Sequence, residues 1–364
     1  MLDNIRATLL QDAPGWLAWG GLVIGIFFGF VVQRTNFCAM GSISDLLSFG
    51  DGSRLRAWLL AAATALAGAQ IMQAFGIVDL SKSMYMAPTF DWAGAILGGL
   101  MFGFGMVFAG GCASRNLVRA GGGDLRSLIV VIVMGISAYV AIGGLVGPWR
   151  VALASATAID LHASGMSNQG LGLLIAHASG INADTAGKWV TTVLVLAVLA
   201  FCFGNAHFRA SPKQMVAGFG VGLAVCAGWA LSGLAYDDLA NSPIAPLSLT
   251  FVRPAGDTLD WMQRYTAGPV PAFGVTTTLG ALLGALIAAL TAGKFRVSTF
   301  VDKHDTMRNL FGAIMMGFGG VIGLGCTMGQ CITGVSTLAA ASYLVFAAIF
   351  TGGVAGVKVM EHMA

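Results

Sequence analysis

Charge is what this sequence has least of. Asp, Glu, Lys and Arg make up 10% of the 364 residues, against 57% hydrophobic residues. A soluble globular domain carries about 25% charged residues, so that class is excluded. The net charge of +3 is spread thinly, without a basic run. Nucleic-acid binding needs a concentrated basic face, so no nucleic-acid partner is expected. Metal-binding patterns are missing too: Cys38, Cys112, Cys202, Cys226, Cys326 and Cys331 include no C-x-x-C, and the five histidines are scattered. Neither a zinc site nor a disulfide framework is expected, and no cofactor motif stands out. The glycine runs are not followed by Lys-Ser/Thr, which excludes a phosphate loop and favours helix packing. The N-terminal region lacks a basic stretch followed by a small-residue cleavage site, so the first apolar run reads as a retained helix.

What the chain has instead is long apolar runs and glycine, 52 residues of it against 9 prolines. Small residues let helices approach closely in lipid. A membrane-spanning helix needs about 20 apolar residues. Nine runs qualify: 16–32, 56–76, 92–110, 127–147, 188–204, 214–234, 271–293, 309–325 and 342–358. The expected fold is therefore an all-α polytopic membrane protein, one transmembrane domain over 1–364. Thirteen of the Lys and Arg residues fall on the side reached after the first helix and six on the other. The positive-inside rule then places the N-terminus outside and the C-terminus in the cytoplasm. Two long connections, 148–187 and 235–270, face outside and read as external loops, with surface helices or a vestibule as the alternative. No carboxylate lies within the nine runs, which disfavours an Asp/Glu proton relay.

The chain repeats itself. GGLMFGFGMVFAGGC at 98–112 aligns without gaps to GAIMMGFGGVIGLGC at 312–326, with eight of fifteen positions identical and both segments ending in cysteine. The two segments are the third and eighth runs. An odd offset of five spans reverses direction, so the halves are inverted in the membrane, 16–147 against 214–358. Residues 148–213 form the connecting loop and linking helix. Inverted repeats characterise many secondary transporters, whose pathway lies at the repeat interface. In the weaker register that sets Gly21 and Gly25 on Gly218 and Gly222, Cys38 falls on Ala235 and has no twin.

The cysteines sit at unusual turns. From Asn309 to Val357 no residue is charged, yet the stretch must hold two spans and their connection, GCTMGQCITGVSTLA at 325–339. That composition fits a re-entrant segment, tolerated in a membrane only when buried in protein or lining a cavity. GGCASRNLVRAGGG at 110–123 and QRTNFCAMGSISD at 33–45 share the pattern. The N-terminus of a half-helix presents free N–H groups and a positive dipole end, which suits an anion. Arg34 and Arg115 would add charge, and Ser114, Thr327 and Gln330 would add hydrogen-bond donors. Thiols are weak donors with polarizable sulfur. A ladder of weak sites favours passage over trapping. Cys38, Cys112 and Cys326, with Cys331 as a further thiol, thus suit a soft sulfur-bearing anion. Cys202 and Cys226 read as packing residues. Two other readings remain open: a membrane thiol-redox enzyme using Cys326 and Cys331, and a passive channel for another small anion.

QRTNFC, the GGC turn followed by RAGGG, and FRVS followed by RNLFGAIMMGFGGVIGLGC resemble the YeeE/YedE family of bacterial membrane proteins. The resemblance covers most of the chain. It implies a non-enzymatic inner-membrane importer of thiosulfate, with nine spanning helices and short embedded helices in an hourglass arrangement. It further implies that Cys326 toward the outside, and Cys112 and Cys38 toward the inside, pass the ion inward by S–H···S hydrogen bonds. A small cytoplasmic sulfur carrier of the TusA type is the implied partner, beside the surrounding lipid. The unpaired Cys38 weights the ladder toward the cytoplasm, which reads as import. The sequence departs from the family pattern at Cys331, Arg115 and Asn116.

Overall fold

The structure is a computed structural model that describes residues 2–238 and 244–363. Helices dominate it. In chain order they are α1 (Leu2–Gln11), α2 (Ala13–Thr35), α3 (Ala39–Phe49), α4 (Ser53–Ala74), α5 (Trp92–Phe108), α6 (Ala113–Gly121), α7 (Leu125–Ile142) and α8 (Gly147–Thr157). They continue as α9 (Leu171–Ser179), α10 (Ala183–Phe203), α11 (Ala206–Arg209), α12 (Pro212–Leu234), α13 (Val252–Gln263), α14 (Phe273–Thr291), α15 (Lys303–Ile322) and α16 (Ala340–Met363). The only sheet among the described residues pairs Thr89–Phe90 with Ile159–Asp160.

Among the described residues, eight helical stretches are long and apolar enough to cross a membrane. They contain α2, α4, α5, α7, α10, α12, α14 and α16. The ninth expected run became α15, whose first turns carry Lys303, Asp305 and Arg308. That helix starts six residues before the expected 309 and stops at Ile322, so Cys326 lies beyond it in the turn. The sequence marks several starts through side-chain caps: Asp12 accepts from Gly15 N–H, Asp91 from Gly94, Asp124 from Ser127 and Asp302 from Asp305. Each cap satisfies an N–H that the first turn leaves unpaired.

The helix contacts come in matched sets. α2 packs on α14 as α4 packs on α12, and α5 packs on α16 as α7 packs on α15. α5 also crosses α15, and α2 crosses α12. Of the short elements, α3 rests on α4, α5 and α16, while α13 rests on α14, α15 and α7. α6 touches α2, α7 and α14; the one-turn π-helix Gly329–Gly334 touches α12, α16 and α4. Exchanging α2, α4, α5 and α7 for α12, α14, α15 and α16, with α3 for α13 and α6 for the π-helix, maps each of these contacts onto another of them or, for the two crossings, onto itself.

The crossing of α5 and α15 is made by glycine. A Cβ at Gly98 would overlap the Gly323 backbone N, and a Cβ at Gly312 would overlap Ala109 N. A Cβ at Gly319 would fall 2.5 Å from Phe102 N. The backbones meet directly here, as in close-packed membrane helix pairs.

The long connections are not simple loops. Residues 148–187 hold α8 and α9, and α9 packs on α10. Residues 235–270 hold α13, which buries Val252, Pro254, Ala255, Gly256 and Thr258 inside the bundle. Part of this connection, 239–243 with Pro243, lies outside the described residues. α13 occupies the place in the second half that α3 occupies in the first. The residue opposite Cys38, the N-cap of α3, is therefore Phe251, the N-cap of α13, and not Ala235. Ala235 merely caps the end of α12.

Candidate functional site

Three cysteines follow the same backbone reversal. Two residues before each, the chain is left-handed: Asn36 (φ 58°) before Cys38, Gly110 (φ 69°) before Cys112 and Leu324 (φ 56°) before Cys326. The reversal ends a spanning helix and turns the chain back into the protein, so the cysteine opens the next short element. Cys38 caps α3, its sulfur accepting from Gly41 N–H at 3.3 Å. Cys326 precedes the π-turn, its sulfur accepting from Gly329 N–H at 3.4 Å. Cys112 is the N-cap of α6 without a capping hydrogen bond, although the Arg115 backbone N–H lies near its sulfur. A thiol is a poor acceptor, so these N–H groups are only weakly engaged.

The three turns converge. The Cys38 and Cys112 side chains lie near one another, and Thr327, in the turn after Cys326, lies near Cys112. Ser114 Oγ lies 3.4 Å from the Cys112 sulfur. Thr250 Oγ1 lies 3.9 Å from the Cys326 sulfur, and the Phe251 N–H faces the same atom. Arg115 carries charge to this group: Nη2 donates to Asn36 Oδ1 at 3.0 Å, whereas Nη1 is buried without a hydrogen-bond partner. A guanidinium N–H buried without an acceptor is costly, and an anion beside Cys38 and Cys112 would supply that acceptor.

The site is closed. Cys38, Cys112 and Cys326 are 8%, 2% and 0% exposed, so no hydrated ion reaches them without a movement. One wall around Cys326 is the turn 326–339, every residue of which is buried. Its polar groups are tied into the scaffold: Thr333 donates to Leu249 O at 2.8 Å and Trp229 Nε1 to Ser336 Oγ at 3.0 Å. A π-turn inside such a segment is uncommon and recurs at functional sites.

Not every residue singled out from the sequence joins the thiols. Gln330 donates through Nε2 to Gly323 O at 2.9 Å and accepts from Ser342 Oγ at 2.6 Å, so its amide staples the turn. Cys331 faces sideways into a small cavity with Trp58, Met106, Thr327 and Phe346. Arg34 points to the basic end, where it donates to Thr291 Oγ1 at 3.0 Å and covers the Phe30 ring. Arg119 holds Gly110 O at 3.1 Å and Asp124 at 2.7 Å, bracing the reversal before Cys112. Cys202 and Cys226 donate to the backbone of α4, as packing residues do. Sequence reasoning missed Thr250 and Phe251. Their signal was positional: they lie 213 residues beyond Phe37 and Cys38, close to the 214-residue offset of the repeat.

The fold is that of an all-α polytopic membrane protein, with buried cysteines placed just after repeated backbone reversals. The chain belongs to the sulphur transport family of YeeE/YedE proteins, which it matches over residues 34–355. It is 26% identical over 350 residues to the thiosulfate transporter TsuA of Spirochaeta thermophila, covering 90% of this chain and 94% of that protein. It is 27% identical over 333 residues to the thiosulfate transporter TsuA of Escherichia coli, covering 85% of each. A shorter match, 33% identical over 107 residues, relates 29% of the chain to 24% of the Salmonella typhimurium protein named "Probable transporter YedE".

Proposed function

We propose that the protein carries thiosulfate, or a closely related sulfur oxyanion, across the bacterial inner membrane into the cytoplasm, along Cys326, Cys112 and Cys38. The observation that carries this reading is the convergence of Cys38, Cys112 and Thr327, from both halves of the chain, beside the unpartnered Nη1 of Arg115. The thiosulfate-transporting relatives, which align with most of the chain, support the substrate.

The chemistry is transfer without bond making. The terminal sulfur of the anion accepts weak S–H hydrogen bonds from one thiol after another, while hydroxyls of Thr250, Thr327 and Ser114 serve its oxygens. Each contact is weak, so no station traps the ion. Arg115 offsets the charge at the inner pair, where desolvation is most costly. The matched helix contacts support two inverted halves, 16–147 and 214–358, joined by 148–213. The Lys and Arg bias supports a periplasmic N-terminus and a cytoplasmic C-terminus. Hand-over to a TusA-type sulfur carrier at the cytoplasmic face belongs to the same proposal.

The test is growth of a bacterium lacking its sulfate-uptake systems on thiosulfate as sole sulfur source. The parent protein restores growth, and Cys112→Ala and Cys326→Ala do not. Growth of both variants at the parental rate would sink the thiol relay. Growth with sulfate but not thiosulfate would sink the substrate.

A further inference from the structure

A cavity of about 160 Å³ opens at the basic end of the molecule, between the end of α2, the start of α12 and the end of α14. Gln33, Arg34, Asn36, Lys213 and Lys294 supply its polar lining, and no carboxylate lines it. Elsewhere at this end some cations are neutralised: Arg119 and Arg126 share Asp124, Arg126 and Arg308 share Asp305, and Arg54 pairs with Asp45. Others, Arg56, Arg209, Arg296, Lys303 and Lys358, form no salt bridge among the described residues, but none of them lines this cavity. Among the described residues, neither Lys213 nor Lys294 forms a salt bridge, and Arg34 holds only Thr291 and the Phe30 ring. Lys213 is the second residue of α12, in a first turn without a side-chain cap. A cation there opposes the helix dipole. Helix stability therefore does not explain it.

The cavity adjoins the thiols through one residue. Asn36 lines it and also accepts the Arg115 hydrogen bond at 3.0 Å. Asn36 precedes Cys38 by two residues and holds the left-handed turn that aims that cysteine inward. Three unneutralised cations and two carboxamides around a space several times the ~30 Å³ of a liquid water match a small, hydrated, doubly charged oxyanion.

We infer that this cavity is a second oxyanion site, the station that receives the ion as it leaves Cys38. The inference rests on the proposed direction and substrate, but the site's existence is tested apart from them. The chemistry it recognises, a tetrahedral oxyanion, has two sources: the transported ion and the phosphate of an anionic lipid headgroup.

The experiment measures equilibrium binding of radiolabelled thiosulfate, and of sulfate as competitor, to the full-length protein in neutral phosphatidylcholine nanodiscs. The parent for this assay is the Cys38→Ala/Cys112→Ala/Cys326→Ala variant, so thiol stations do not contribute. Lys213→Gln/Lys294→Gln in that background is expected to weaken binding at least tenfold. Lys303→Gln, which removes a basic-end cation away from the cavity, leaves binding unchanged. Equal binding with and without Lys213→Gln/Lys294→Gln overturns the inference, whatever uptake does. Absence of thiosulfate uptake by the wild-type protein overturns the proposed function, whatever this binding does. Adding phosphatidylglycerol to the discs separates the sources. If uptake of wild-type protein falls with the two lysine substitutions and phosphatidylglycerol leaves oxyanion binding intact, the transported ion is the occupant. If phosphatidylglycerol abolishes oxyanion binding, a lipid headgroup occupies the cavity and its role as an exit station is overturned.

Discussion

Gly98→Ala and Gly312→Ala should destabilise the protein by equal amounts. The two glycines are 214 residues apart and make equivalent contacts, Gly98 against the backbone of Gly323 and Gly312 against that of Ala109. The obstacle in each case is a main-chain atom, which has no rotamer to retreat into. Overpacking of this kind costs about 1–3 kcal/mol, and the upper half of that range applies when backbones must separate. Alanine returns roughly 1 kcal/mol in helix propensity. The net loss is about 1–2 kcal/mol, a factor of about 5–30 in the folded-to-unfolded ratio. Gly187→Ala in α10 is the control, because a Cβ there would meet only Gly172 Cα at 4.0 Å. It gains the propensity without the clash, so its effect should be zero or stabilising. The assay is reversible unfolding in mixed micelles with increasing SDS, followed by tryptophan fluorescence. If Gly98→Ala is costly and Gly312→Ala is not, the two halves do not share one crossing geometry. If both match Gly187→Ala, the close approach of α5 and α15 is wrong.

Thr250→Val removes the hydroxyl beside Cys326 while keeping its shape. One hydrogen bond nets about 0.5–1.5 kcal/mol, so half-saturation of uptake should rise about 2–10-fold in proteoliposomes, with the maximal rate little changed. Cys331→Ala should leave thiosulfate uptake within about twofold of the parent, since its sulfur faces the side cavity, whereas Cys326→Ala abolishes uptake. Asp305→Ala removes the shared partner of Arg126 and Arg308 and an acceptor of the Asn309 amide. The groups are partly exposed, so solvent screening limits the loss to about 1–2 kcal/mol, read as a lowered thermal midpoint. Leu324→Gly relieves a left-handed leucine that is 45% exposed and stands where the first half has Gly110. The left-handed conformation costs a leucine about 1–2 kcal/mol, and glycine gives back roughly half of this in chain entropy, so the thermal midpoint should rise slightly.

The spanning helices were legible because a lipid-exposed helix must be apolar over its whole length. α15 shows where that rule weakens. Its charged first turns lie at the basic end, where Asp305 pairs with Arg126 and Arg308, so its apolar part alone underestimates it. The repeat was legible at 98–112 and 312–326 because backbone contact demands glycine at fixed spacing. α13 was not legible, because no long apolar run marks it and the acidic start and the prolines of 235–270 made that connection read as a loop. In the structure Asp257 accepts from Tyr139 at 2.7 Å, which lets the helix lie within the bundle. The convergence of the thiols followed from their matching turns, but the partners did not. Thr250 reaches Cys326 across 76 residues of chain. Gln330, polar and close in sequence to Cys326, spends its amide on the scaffold instead. Nothing local in a sequence distinguishes a carboxamide that meets a ligand from one that holds a turn.

Phe251 standing opposite Cys38 has a kinetic meaning. The scaffold on either side of the crossing is built alike, yet one side offers a sulfur pair and the other a sulfur beside an aromatic ring stacked 4.9 Å from Phe28. Unequal stations cannot pump: with equal concentrations on both sides, traffic through them is balanced, and the ion's own gradient sets net flow. What unequal stations do set is occupancy. Under the proposed function, the ion would rest longest near Cys38 and Cys112, and a consumer at that end would meet a loaded carrier.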